Sequence, residues 1–186
     1  MNGNIVKNIA NEIASGFDGL GKWFDVDEFL MRYVPANNGW NIQQNLEHIS
    51  LTNHYLLILV KKGTAKAIDL SAKKHFCGFP EGYEIDWLKL EAIGIHKSFK
   101  WIRPEHMEPT GNISLDDIQN RLNVQKSECL SCLEKLQNGE GVLYKTMMSV
   151  NGLGKIDVYH YILFLMQHIK RHTAQMEKIK LEFDQL

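Results

Sequence analysis

"KIDVYHYILFLMQHIKRHTAQMEKIKLEF", residues 155–183, sets the fold class. Val158, Ile162, Leu165, Ile169, His172, Met176, Ile179 and Phe183 follow one another in alternating steps of four and three. That spacing is the buried seam of one long amphipathic helix, running from Lys155 toward Phe183. His172 occupies a seam position, and His168 lies one turn earlier on an adjacent face.

Working outward, the same period recurs three times. Ile5, Ile9, Ile13 and Phe17 form a first helix that ends or bends at the glycines of "GFDGLGKWFD", followed by a short helical piece through "VDEFLMRYV". A second helix starts at "WNIQQNLEHI", where Asn41 can cap and Gln44 can reach back as in a capping box. Its apolar residues Ile42, Leu46, Ile49, Leu56 and Val60 make a seam expected to end near Lys61. Ser114, with Asp117 three residues later, opens a third helix that stops near "NGEG". Residues 62–113 read as a long connection with a short helix at "DWLKLEAIG", a segment suited to a lid or a dimer contact. "VLYKTMMSVNGLG" reads as a loop. Four amphipathic helices without a strand pattern predict an all-α four-helix bundle, a single domain over 1–186, with its long connection between the second and third helices.

Composition narrows the function. The chain has 186 residues, 44% of them apolar, enough for one sizeable core. Its 21 basic and 22 acidic side chains nearly cancel, so no global field draws it to nucleic acid or to an anionic membrane. The lysines at 61, 62, 66, 73 and 74 lack interleaved aromatics and read as a solvated loop. The apolar runs "YLLILV" and "YILFLM" are too short to span a bilayer, and "MNGNIVKNIANEIASG" lacks the pattern of a signal peptide. A cytoplasmic protein is expected. Cys77, Cys129 and Cys132 are expected to stay thiols, and "CLSC" at 129–132 reads as a coincidence on a helix surface.

Histidines four apart on a helix bring two imidazoles to one side, the spacing that one metal ion needs from a rigid element. By spacing alone, His168 and His172 also read as one core and one surface histidine. A third ligand must come from another helix. His48, two turns into the second, is the best placed, with His54 as its nearest rival. Three histidines leave one coordination position open, as in catalytic sites. His75, His96, His106 and His160 read as ordinary histidines, Arg171 as an exposed helix charge, and Tyr55, Tyr159 and Tyr161 as core residues. No glutamate stands three residues before a histidine, so a di-iron bundle site is excluded. The His-Glu-x-x-His of zinc proteases is also absent.

"GWNIQQNLEHI" and "HIKRHTAQMEKI" together resemble the DinB/YfiT-like superfamily of bacterial metal-binding four-helix bundles. The resemblance rests on Trp40, His48, His168, Arg171, His172 and Gln175. Asn41 stands where the family commonly has serine, and 62–113 matches no part of the pattern. The resemblance implies that His48, His168 and His172 hold a divalent metal, zinc first, with nickel or iron as other acceptable ions. It further implies a metal-dependent enzyme, transferase or hydrolase, in which the ion activates a low-molecular-weight thiol or water against a small-molecule substrate. A bundle serving as a non-catalytic metal-binding or stress-response module is the alternative. A homodimer is expected, and neither nucleic acid nor membrane is an expected partner.

Overall fold

The computed structural model describes residues 2–76, 78–96, 98–99 and 104–186; Cys77 lies outside them. Four long helices account for most of the chain: α1 (Asn2–Gly21), α3 (Ile42–Lys74), α5 (Leu115–Glu134) and α6 (Val158–Phe183). Two short ones, α2 (Glu28–Arg32) and α4 (Trp87–Gly94), punctuate the connections. α1 packs on α5 and α6, and α3 packs on the same two, so the long helices close a ring around one apolar core. The chain is all-α in character. No helix among the described residues is long and apolar enough to cross a membrane.

The start signals act as their residue types require. Asn41 Oδ1 accepts from Gln44 N at 2.8 Å while Gln44 Oε1 accepts from Asn41 N at 3.1 Å, the reciprocal bonds of a capping box. Ser114 Oγ accepts from Asp117 N at 3.1 Å to open α5, and Asp157 Oδ1 accepts from His160 N at 3.0 Å to open α6. These caps fix the rotation of each helix, and therefore which side chains point inward.

α3 does not stop near Lys61. It continues to Lys74, so the first part of the supposed connection is helix. Gly63 lies inside the continuing helix, where it faces α6. A Cβ there would stand 3.0 Å from Val158 Cγ2 and 3.4 Å from a Tyr144 ring carbon. The missing side chain lets α3 approach the start of α6 closely, and that packing offsets the propensity cost of about 1 kcal/mol. The lysines at 61, 62, 66, 73 and 74 are accordingly exposed on a helix rather than in a loop.

Two further expectations change. Residues 145–157 hold an antiparallel hairpin, β1 (Lys145–Met148) against β2 (Gly154–Asp157), with Asn151 and Gly152 in the turn and Gly154 at the start of β2 at positive φ. The opening residues of the expected fourth helix are thus strand. Cys129 and Cys132 lie on α5 but are buried, not on its surface, and burial raises both thiols, Cys129 to about 12.

α6 is the central element. Residues 161–169 are all buried, although an amphipathic helix would leave one face to water. α4 supplies the extra cover, with Leu90 and Ile93 fully buried and Gly94 so close that a Cβ would sit 2.6 Å from Gln167 Oε1. A second clasp holds the chain leading into α4. Tyr83 donates to Asp157 Oδ2 at 2.9 Å, His160 Nδ1 donates to Asp157 Oδ1 at 2.8 Å, and Asp86 N donates to His160 Nε2 at 3.3 Å. The region is therefore packed onto the helices over α4 and its approach.

Candidate metal centre

The cap at Asn41 sets His48 two turns into α3 on the face turned toward α6, and the period of α6 places His168 and His172 opposite it. The three imidazoles meet. One ring nitrogen from each lies within 4.8 Å of the others, and the ring centroids stand 5.2 Å apart for His48 and His168 and 4.6 Å for each of the other pairs. Exposure is 2%, 2% and 5% for His48, His168 and His172, so the group is enclosed.

What surrounds the rings decides which nitrogen carries a proton. Met107 O stands 2.6 Å from His48 Nδ1, and a carbonyl can only accept. His48 Nδ1 therefore carries a proton, and in the neutral ring the lone pair lies on Nε2. Asn45 Nδ2 donates to Trp40 O at 3.2 Å and to Asn41 O at 2.8 Å, which orients the amide. Its Oδ1 must then accept from His172 Nδ1, 3.1 Å away, leaving His172 Nε2 with a lone pair as well. His168 is held neutral, its pKa pushed well below the usual 6.5 by burial first, then by His172, His48 and Arg171. Three converging imidazoles, two with the outer nitrogen already committed to a hydrogen-bond acceptor, are a donor set that suits a divalent cation, which binds the neutral ring. The residues fit the group.

Trp40 covers the site. Its ring centroid is 4.7 Å from His48 and 6.2 Å from His172, nearly parallel to the latter at 26°. Thr52, one turn beyond His48 and buried, places Oγ1 3.5 Å from His48 Nε2. It is the hydroxyl beside that lone pair.

Arg171 departs from the sequence expectation. It is buried, not an exposed helix charge, and Nη1 donates to Ile93 O at 3.3 Å and, more closely, to Ile95 O. Its guanidinium also lies over the Phe99 ring at 5.4 Å. It caps the end of α4, where cations suit the helix dipole. One turn on, Gln175 Nε2 donates to His96 Nδ1 at 2.6 Å. Arg171 and Gln175 thus hold the chain that follows α4 beside the histidines.

The other histidines stay outside the cluster. His54 is exposed and stands against Tyr55, which also meets His106 at 4.4 Å between centroids. His75 closes α3 and His160 belongs to the Asp157 clasp. Tyr159 donates to Leu136 O and Tyr161 to Met147 O, so their hydroxyls are committed to backbone elsewhere. Sequence reasoning missed Asn45, Thr52 and Met107. Asn45 had a signal, a polar residue three before His48 on a buried face; a carbonyl such as that of Met107 has none.

With this geometry in view, comparison with known proteins adds one positive result. The sequence model of the DinB superfamily matches residues 23–176, a span that contains Trp40 and all three histidines. No curated protein and no solved structure gives a significant match.

Proposed function

Because the chain belongs to the DinB superfamily, we propose that it is a metalloprotein in which His48, His168 and His172 hold one divalent cation and present it to a small molecule. The carrying observation is the convergence of three buried imidazoles, two of them with Nδ1–H already donated to Met107 O and Asn45 Oδ1. Three nitrogen donors suit zinc first, with nickel or iron also accommodated. When bound, the ion would lower the pKa of a coordinated thiol or water and so supply a nucleophile near neutral pH.

The chain's own residues do the rest. Asn45 and the Met107 carbonyl hold two rings in the tautomer that keeps Nε2 available. Trp40 shields His48 and His172 from bulk water, which strengthens polar interactions within. The Thr52 hydroxyl is placed beside His48 Nε2 to hydrogen-bond a molecule held there. This supports a transferase using a low-molecular-weight thiol, or a hydrolase, acting on a small electrophile.

A second reading has its own observation. All three rings are enclosed, at 2%, 2% and 5% exposure, which favours a metal-binding module that does not turn over. Metal analysis of the purified protein followed by a thiol-transfer and hydrolysis assay against a model electrophile separates the two. Metal-dependent turnover supports the enzyme; one bound metal with no turnover supports the module.

A further inference from the structure

Glu47 stands next to His48 in sequence and is fully buried. An isolated carboxylate there would be costly to desolvate. Here it is well satisfied: Oε1 accepts from Thr110 N at 2.8 Å and Thr110 Oγ1 at 2.9 Å, and Oε2 accepts from Gly111 N at 2.8 Å. Gly111 has φ of 75°, a left-handed conformation suited to glycine, at the turn where both backbone N–H groups meet the carboxylate. Gln43 extends the grip by donating to Ile113 O at 2.9 Å.

The same loop reaches the metal ligand. Met107, three residues before Thr110, offers the carbonyl that accepts from His48 Nδ1. Consecutive residues of one rigid helix therefore hold the loop at two points, the carboxylate fixing its backbone and the imidazole using its carbonyl. By accepting a hydrogen bond from Nδ1–H the carbonyl raises the basicity of Nε2 and fixes the ring, and both effects depend on where it lies.

We propose that Glu47 is a positioning residue that sets the metal affinity of the three-histidine centre by holding the 107–111 loop against His48. This rests on the metal reading above. The contrasting role, a loop anchor that only stabilises the fold, would leave affinity untouched.

The test uses the full chain, with zinc affinity measured by competition against a chromophoric chelator and the ligand field read from the visible spectrum of the cobalt-substituted protein. In Glu47→Gln the amide cannot accept from both Thr110 and Gly111, so at least one donor loses its partner. The expected result is one zinc per chain, bound roughly ten- to a hundredfold more weakly, with shifted cobalt bands. Thr110→Val, a milder loss, should weaken binding in the same direction by a smaller factor. Unchanged zinc affinity and cobalt bands in Glu47→Gln overturn the inference; if that variant does not fold, unchanged values in Thr110→Val do so. Wild-type protein that binds no zinc and no cobalt overturns the metal reading itself, and the inference with it.

Discussion

His172 donates through Nδ1 to Asn45 Oδ1 at 3.1 Å, joining α6 to α3 beside the candidate ligands. The amide cannot turn around, because its Nδ2 is held by the carbonyls of Trp40 and Asn41. A bond of this kind orients the ring and directs its other nitrogen toward the site. Asn45→Ala should therefore weaken metal binding by about ten- to a hundredfold while stoichiometry stays at one. Chelator competition measures this, and wild-type affinity in the variant would show that Asn45 serves packing alone.

His168 makes stability depend on pH. Burial lowers its pKa well below 6.5, so the folded protein resists taking up a proton that the unfolded chain accepts. Stability from this group is fully present above the unfolded value of about 6.5 and is lost as pH falls below it. The urea midpoint of the metal-free protein should fall between pH 7 and 5.5, and His168→Gln should flatten that slope. An equal slope in the variant would assign the dependence to other groups.

Arg171→Met removes the donors that cap α4 but keeps a long apolar stem. The buried carbonyl of Ile93 and the part-buried one of Ile95 lose a charged partner, a change worth about 1–3 kcal/mol. Arg171→Lys should not restore it, since a point charge replaces a fork of donors. Urea unfolding gives the magnitude. Hydrogen exchange should show the loss concentrated over 87–96, and uniform loss through the chain would contradict the capping role.

The site was legible in sequence to the extent that helix periodicity governs it. Asn41 fixes where α3 begins, the 3.6-residue period then fixes where His48 points, and the seam of α6 does the same for His172. What periodicity cannot show is which second surface meets a helix. Arg171 sits beside the seam and reads as solvent-facing until α4 covers it, and the all-apolar run at 161–166 is buried on every side because the same helix packs on α6.

Other features were hidden for different physical reasons. Gly63 carries helix-breaking propensity locally, yet tertiary contact with Val158 makes glycine the residue that fits. Strands of four residues are too short to show an alternating pattern, so only "NG" at 151–152 hinted at the hairpin. The loop carbonyl that orients His48 belongs to a methionine whose side chain is irrelevant to the contact.

The central claim is that three histidines from α3 and α6 share one cation. Metal content by elemental analysis of the wild-type protein and of His48→Ala, His168→Ala and His172→Ala, each checked for helical content by circular dichroism, tests it most directly. The account predicts one divalent metal per wild-type chain and loss of stoichiometric binding in each variant, all remaining helical. A folded variant that keeps a full metal equivalent would contradict it.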